Sequence, residues 1–536
     1  MIPLNKRRIL LNDEVMNREE EEGNVEYKLK FEDVSEDKLR KLVTQLIYRL
    51  EEGGGEAFYE LGLMDDGTPI GLTDDEAKRA LEVFDRIARE AGATYKIIRK
   101  VRGQRGLIYE LHVRRFKDIP PIEVGLTLLG NVDAGKSTLK GVLVANLLDD
   151  GDGLAMSQVA RYLHEIKMGR SSSVSIHLLG FDEDGKCVND LVSTYDEAKV
   201  YLKSSKIIKL VDLAGHERYL RTTLRGVLGN LPDYAMLVMG ANAGPIGSFK
   251  EHLGIAVALK IPVFMVVTKI DITPKEVLEQ SLSKAFRILK MPGVNKVPFI
   301  VKDMNDVVVA AKHLPHGRVA PVFLISNVTG EGINLLKAFL NILPRRIDWK
   351  EKAKEDFMLY IDEKFNVTGV GLVVSGLVES GSVSVGDTLL VGPMDDGSFV
   401  ETKVTSMHLN RVPINLALAG QTITLALSHL SYRDVRRGMV LLSGRSKAKA
   451  VWEFEADVRI LHHPTTIKPG YEPVIHLRTI RQTAKLIKSE PETMRSGDIG
   501  KAVFRFKKRP EFIRIGDVFV FREGRTRGLG SVTSIR

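Results

Sequence analysis

The chain has 536 residues, 44% of them hydrophobic, 27% charged and 7% aromatic, with 78 basic and 69 acidic side chains and a formal charge of +9. That apolar content excludes a disordered chain, and at roughly 100–200 residues per domain the length calls for several cores rather than one. The lone Cys187 excludes an internal disulfide, and no apolar run, Ile261 to Thr268 included, approaches the ~20 residues of a membrane span, so a soluble cytoplasmic protein without a membrane partner is expected.

The first stretch carries Lys6, Arg7 and Arg8 without the apolar segment of a signal peptide and runs into the acidic Glu19 to Glu22. Val25 to Phe31 alternates as a strand does, and Ser35 with Glu36 and Asp37 opens a helix to about Leu50. Gly53-Gly54-Gly55 breaks it, Ala57 to Leu63 returns to strand, and Thr73 with Glu76 forms a capping box for a helix to about Ala91. Strand-like runs at Thr94 to Val101 and Leu107 to Val113 complete an α+β N-terminal domain over residues 1–119, in which no catalytic constellation is visible.

From Ile122 the pattern changes to near-continuous apolar strands, Val124 to Leu129, Ile207 to Leu213, Tyr234 to Met239, Val263 to Val267 and Val322 to Ile325, separated by helical stretches. Strands buried on both faces and spaced by helices predict a doubly wound, mostly parallel α/β domain over residues 120–347. After Pro344 short alternating strands with Gly-rich turns predict two β-barrels, residues 348–446 and 447–536, with a seam near Ser443 to Lys449. Residues 1–120 hold 22 basic and 25 acidic side chains, residues 121–440 hold 36 and 34, and residues 441–536 hold 20 and 10, so the positive excess is C-terminal. Such runs are often only a solvated face, yet an excess of this density is also the footprint of a surface that meets phosphate backbone.

The chemistry lies in the middle domain. Gly130-Asn131-Val132-Asp133-Ala134-Gly135-Lys136-Ser137-Thr138 fits G-x-x-x-x-G-K-[ST] between a strand and a helix (Leu139 to Asn146), and curls its amides around the phosphates of a nucleoside triphosphate. Lys136 bridges the β- and γ-phosphates and the Ser137 hydroxyl ligates Mg2+. Asp212-Leu213-Ala214-Gly215-His216-Glu217 follows a later strand, with Asp212 placed to hold the Mg2+ shell through water and the Gly215 amide to sense the γ-phosphate, although an aspartate at a strand end can also cap a helix. Thr268-Lys269-Ile270-Asp271 reads the base: a carboxylate accepts two hydrogen bonds from guanine N1 and N2, donors that adenine lacks. Ser326-Asn327-Val328 offers a backbone amide to guanine O6, which makes GTP the substrate and GDP the product.

This ordered set resembles the GTPase superfamily, and His216 narrows the likeness to translational GTPases of the elongation factor Tu type. Phe365 to Gly371 with Gly386-Asp387 is similar to the second domain of such factors, and Leu461 to Pro464 with Phe521 to Thr526 to the third. Gly169-Arg170-Ser171-Ser172-Ser173-Val174, Asp212 to Tyr219 and Ser326 to Gly330 identify the chain as a member of the GTP-binding protein 1 family. The resemblance implies water attack oriented by His216 with Lys136 balancing charge, a ribosome partner, and tRNA or another RNA on the C-terminal barrels. It implies a role in elongation, ribosome rescue or RNA surveillance, with residues 160–180 and 215–230 acting as the γ-phosphate latch. A GTP-switched adaptor for RNA decay machinery and an initiation- or selenocysteine-type tRNA carrier are the rival readings.

Departures from the family pattern are expected to matter. Ser172, with Ser173 as the competing register, replaces the threonine that would ligate Mg2+. Val132 keeps one side of the hydrophobic gate, but Ser171 stands on the other. Thr268 stands where Asn is usual and Val328 where Lys is usual. Asp133 is a candidate for holding a monovalent cation or for structuring the loop.

Overall fold

The computed structural model describes residues 23–31, 34–116, 120–160, 175–191, 196–213, 226–523 and 526–536. They fall into two compact units, one running to Arg346 without residues 213–232 and the other comprising those residues and Ile347 to Arg536.

The first unit opens with β1 (Val25–Lys28), α1 (Glu36–Glu52), β2 (Glu56–Leu61), α2 (Asp74–Glu90), β3 (Ala93–Arg102) and β4 (Leu107–Arg115). The sheet order is β1-β2-β4-β3. The Ser35 hydroxyl caps α1 by accepting from the Lys38 amide, and the expected Thr73–Glu76 capping box is complete at α2. One face of the sheet is closed by both helices around Phe84, which packs at 4.9 Å from Tyr59 and edge-on at 5.0 Å to Tyr95.

β5 (Ile122–Gly130), α3 (Lys136–Ala145), β6 (Ser175–Phe181), α4 (Glu197–Lys203), β7 (Lys206–Asp212), β8 (Tyr234–Gly240), α5 (Phe249–Ala258) and β9 (Val263–Thr268) follow. α6 (Lys275–Leu289), β10 (Val297–Ile300), α7 (Met304–His313), β11 (Val319–Leu324) and α8 (Ile333–Ile342) complete the unit. The seven-stranded sheet has the order β10-β11-β9-β8-β5-β7-β6, parallel except for the edge strand β6, which pairs antiparallel with β7. The five strands expected from apolar runs are all present. β6 and β10 were not expected: Ser175, His177 and Gly180 interrupt the apolar pattern of one, and the other is four residues long with Pro298 inside it.

The other face of the N-terminal sheet is polar and lies against the α/β domain. Glu56 on β2 pairs with Lys206 at the start of β7 at 2.7 Å, and Lys312 on α7 reaches Glu60 at 2.6 Å and Glu110 at 2.5 Å. Arg114 donates to the Asp182 carbonyl and to the Asn341 side chain.

In the second unit, Met358–Tyr360 pairs with both Val440–Ser443 and Gly371–Ser380, closing a six-stranded antiparallel ring through Thr388–Gly392, Val400–Leu409 and Thr422–Leu427. The second ring, Glu453–His462, Ile499–Phe506, Ile480–Glu490, Val474–Leu477, Val518–Glu523 and Thr526–Ile535, is a closed barrel around Phe454, Phe504, Phe506 and Phe519. Arg478 to Glu379 at 2.6 Å and Arg436 to Glu511 at 2.9 Å join the two barrels. The expected multidomain class, α/β with a mostly parallel sheet followed by two barrels, is the fold observed. Among the described residues no helix is long and apolar enough to cross a membrane.

Candidate nucleotide site

β5 is buried along most of its length and ends at Gly130, where φ is +142° and an added Cβ would stand 2.2 Å from the Val238 carbonyl. Only glycine lets β5 run this close to β8 before the chain turns out of the sheet. Asp133 and Gly135 both adopt positive φ, and Gly135 is the N-cap of α3. The helix starts three residues earlier than the apolar pattern predicts, so Lys136, Ser137 and Thr138 form its first turn. That places amides of the loop at a helix N-terminus, the arrangement that receives phosphate.

Lys136 is buried, and its ammonium donates to the Asn131 carbonyl at 2.5 Å. Burial pushes it down to about 8, against the pull of Asp212 and Asp133. The Ser137 hydroxyl donates to Asp212 Oδ2 at 3.1 Å, which brings the two expected metal ligands together from α3 and β7. Burial alone would raise the Asp212 pKa, but Lys140 and Lys136 hold it below the usual carboxylate value. Asn131, Val132 and Asp133 are at least partly exposed, whereas Ala134 is buried.

The segments expected to read the base lie beside this loop. The buried Thr268 hydroxyl donates to the Ala134 carbonyl at 2.9 Å, tying the end of β9 to the phosphate loop. At Gly135 a Cβ would meet Thr268 Oγ1 at 3.3 Å and Asn327 Nδ2 at 3.4 Å, so both segments touch the loop. Lys269 turns the chain with φ +62° and its carbonyl accepts the Thr273 hydroxyl, leaving Asp271 exposed. Ser326 Oγ accepts the amides of Val328 and Thr329 at 3.2 and 3.0 Å, so the Val328 amide is engaged. Asn327 is buried, its carbonyl accepts the Asp149 amide, and its Oδ1 has no hydrogen-bond partner among the described residues. The exposed Asp271 carboxylate, which can accept from guanine N1 and N2, fits a guanine nucleotide. The Ser137 and Asp212 oxygens fit Mg2+, a hard cation that takes oxygen ligands.

Gly215, His216, Ser171, Ser172 and Ser173 lie outside the described residues. Two residues that sequence reasoning missed also belong here. His252 on α5 accepts the Gly130 amide through Nδ1 at 3.0 Å. Lys140 pairs with Asp212 Oδ2 at 3.0 Å and donates to Ser175 at 2.8 Å. A second lysine four residues after Lys136, on a helix otherwise apolar beyond its first turn, was the available signal.

The family description for the Elongation factor Tu GTP binding domain matches residues 124–345, and that for Elongation factor Tu domain 2 matches residues 371–442. Fold and site thus define a P-loop GTPase of the elongation factor Tu type. GTP-binding protein 1 of Xenopus laevis is 41% identical over 529 residues, covering 98% of this chain and 81% of that protein. GTP-binding protein 2 of Homo sapiens is 41% identical over 531 residues, covering 97% and 88%. The chain belongs to this family of GTP-binding proteins 1 and 2. The crystal structure of translation elongation factor SelB from Methanococcus maripaludis, in complex with the GTP analogue GppNHp, shares the fold at a TM-score of 0.56 and 20% identity, covering 78% of this chain and 80% of that one.

Proposed function

We propose that this GTPase works as a conformational switch in translation, stimulated by the ribosome and carrying an RNA similar to aminoacyl-tRNA on its barrels. The observation that carries the nucleotide chemistry is the meeting of Ser137 and Asp212 at 3.1 Å beside the buried Lys136. The amides of Asn131 to Thr138 bind the phosphates, with Lys136 on the β- and γ-groups and the Gly215 amide on the γ-phosphate. Asp271 takes guanine N1 and N2, Thr268 and Lys269 hold the wall of the base pocket, and Ser326, Asn327 and Val328 line its O6 side. Ser137, Ser172 and, through water, Asp212 would hold Mg2+, which would supply charge neutralisation at the phosphates. His216 orients the attacking water. The new bond joins its oxygen to the γ-phosphorus while the bond to the β–γ bridging oxygen breaks, giving GDP and phosphate.

The translational role draws support from the SelB likeness, since that protein is described as a translation elongation factor. An RNA partner draws support from the second barrel, where Lys485, Lys488, Lys501 and Arg505 are exposed on adjoining strands. The test is GTP turnover of the full chain titrated with ribosomes, with and without aminoacyl-tRNA, alongside His216→Ala. Stimulation that the variant loses is expected. No stimulation by either addition would remove the translational role, and full stimulation of the variant would remove His216 from the chemistry.

A further inference from the structure

We infer that Lys140 is a cation built into the metal corner of the nucleotide site, where it shares Asp212 with Mg2+ and loosens the dependence of nucleotide binding on that ion. The inference rests on the nucleotide reading above.

Lys140 stands three residues after Ser137 and four after Lys136, so the three side chains leave one flank of α3. Its side chain is only 3% exposed, and its ammonium stands 3.0 Å from Asp212 Oδ2, the same oxygen that accepts the Ser137 hydroxyl at 3.1 Å. It also donates to Ser175 Oγ at 2.8 Å. Ser175 and Asp212 are paired in the β6–β7 register, so one ammonium holds two adjacent strand ends. Lys140 is therefore fixed by geometry and cannot be counted as a solvated surface charge.

Two consequences follow from charge alone. Without the divalent ion, an uncompensated Asp212 carboxylate would repel the nucleotide phosphates, and Lys140 cancels that repulsion. With the ion, Mg2+ meets a carboxylate already shared and a like charge a few ångströms away in a site of low dielectric. The lysine thus raises nucleotide affinity in the absence of Mg2+ and lowers the affinity for Mg2+ itself.

The experiment measures binding of a fluorescent GDP by the full chain, from EDTA to millimolar Mg2+, with no turnover involved. The parent is expected to change its nucleotide affinity less than about tenfold across that range. Lys140→Met and Lys140→Gln are expected to change it by roughly a hundredfold and to reach half-saturation at about tenfold less Mg2+, while Lys140→Arg follows the parent. Glutamine stays polar but carries no charge, so it reports on charge even where methionine disturbs folding. Met and Gln variants with the parent's Mg2+ profile would overturn the role of Lys140 alone. A parent chain that holds no guanine nucleotide under any of these conditions would overturn the nucleotide reading and this inference together.

Discussion

The Glu56 carboxylate and the Lys206 ammonium meet at 2.7 Å, both buried, across 150 residues of sequence. Lys206 opens the strand that Asp212 closes, so the N-terminal sheet anchors the foot of the strand whose tip stands in the candidate nucleotide site. Glu56 also takes Arg114 at 2.7 Å and His112 at 3.0 Å. Through this ionic face Glu56, Glu60, Glu110 and Arg114 bind the N-terminal sheet to the α/β domain, a contact illegible in the sequence.

Removing Glu56 should cost more than any surface charge. Burial alone would raise its pKa, yet Lys206, Arg114 and His112 hold it well below the usual carboxylate range, so it is ionised at neutral pH. Glu56→Ala leaves Lys206 and Arg114 buried without their carboxylate, a change that costs roughly 3–5 kcal/mol. Chemical denaturation of the full chain checks this. A loss below about 1 kcal/mol, the range of exposed pairs, would mean that the cluster does not hold the sheet in place.

The same cluster predicts sensitivity to acid. Burial pushes His112 down to about 4, with Glu56 pulling the other way, so the ring is neutral at pH 7. An unfolded His112 titrates near its ordinary 6.5 and takes up a proton before the folded one does. Stability is therefore full above about 6.5 and falls as the pH drops toward 4, by roughly 3 kcal/mol for this group alone. Glu56, depressed in the folded state, adds its own loss below the ordinary glutamate range. Unfolding midpoints measured from pH 8 to pH 4 should fall for the parent and flatten for His112→Gln between pH 6.5 and 4. An unflattened variant would exclude His112 as the source.

How far the sequence reveals this molecule follows from where its physics is local. The turn from β5 into α3 was legible because Gly130 and Gly135 mark, at fixed spacing, the positive-φ positions where the chain leaves the strand and enters the helix. The parallel strands were legible because burial on both faces makes them continuously apolar. By contrast Glu56, Glu60, Glu110 and His112 alternate with apolar neighbours as solvent-facing residues do. Only the partner surface, supplied by Lys206 and Lys312 far along the chain, turns that polar face into an interior one. The start of α3 differs for a related reason: Lys136, Ser137 and Thr138 form its first turn but are polar, so the apolar pattern begins after the helix does.

Thr268 should support nucleotide affinity although asparagine is usual at its position. Its hydroxyl holds the Ala134 carbonyl, so the end of β9 is tied to the loop that follows β5. Thr268→Val keeps the shape and leaves that carbonyl without its donor, at a cost of about 1–3 kcal/mol. Equilibrium binding should show GTP and GDP both weakened about tenfold. Thr268→Ser, which keeps the hydroxyl, should stay near the parent. Equal affinities for the valine variant and the parent would show that the tie is dispensable.

The basic second barrel yields a prediction that separates an RNA-binding face from a merely solvated one. Arg505 lies opposite Lys485 and Lys501 lies opposite Glu490 in the pairing of their strands, and Lys485, Lys488, Lys501 and Arg505 are all exposed. If these side chains contact phosphates, each contact releases counterions, and the logarithm of the binding constant falls with the logarithm of salt by about 0.7–0.9 per contact. Replacing all four with alanine should then reduce the salt slope of binding to bulk tRNA by about 2–3 and weaken binding at low salt by at least tenfold. Four exposed substitutions away from the core change stability little, so the unfolding midpoint serves as the control for an intact barrel. A solvated face makes the opposite prediction: the variant would bind tRNA with the parent's slope, and the excess charge of residues 441–536 would have no part in holding RNA.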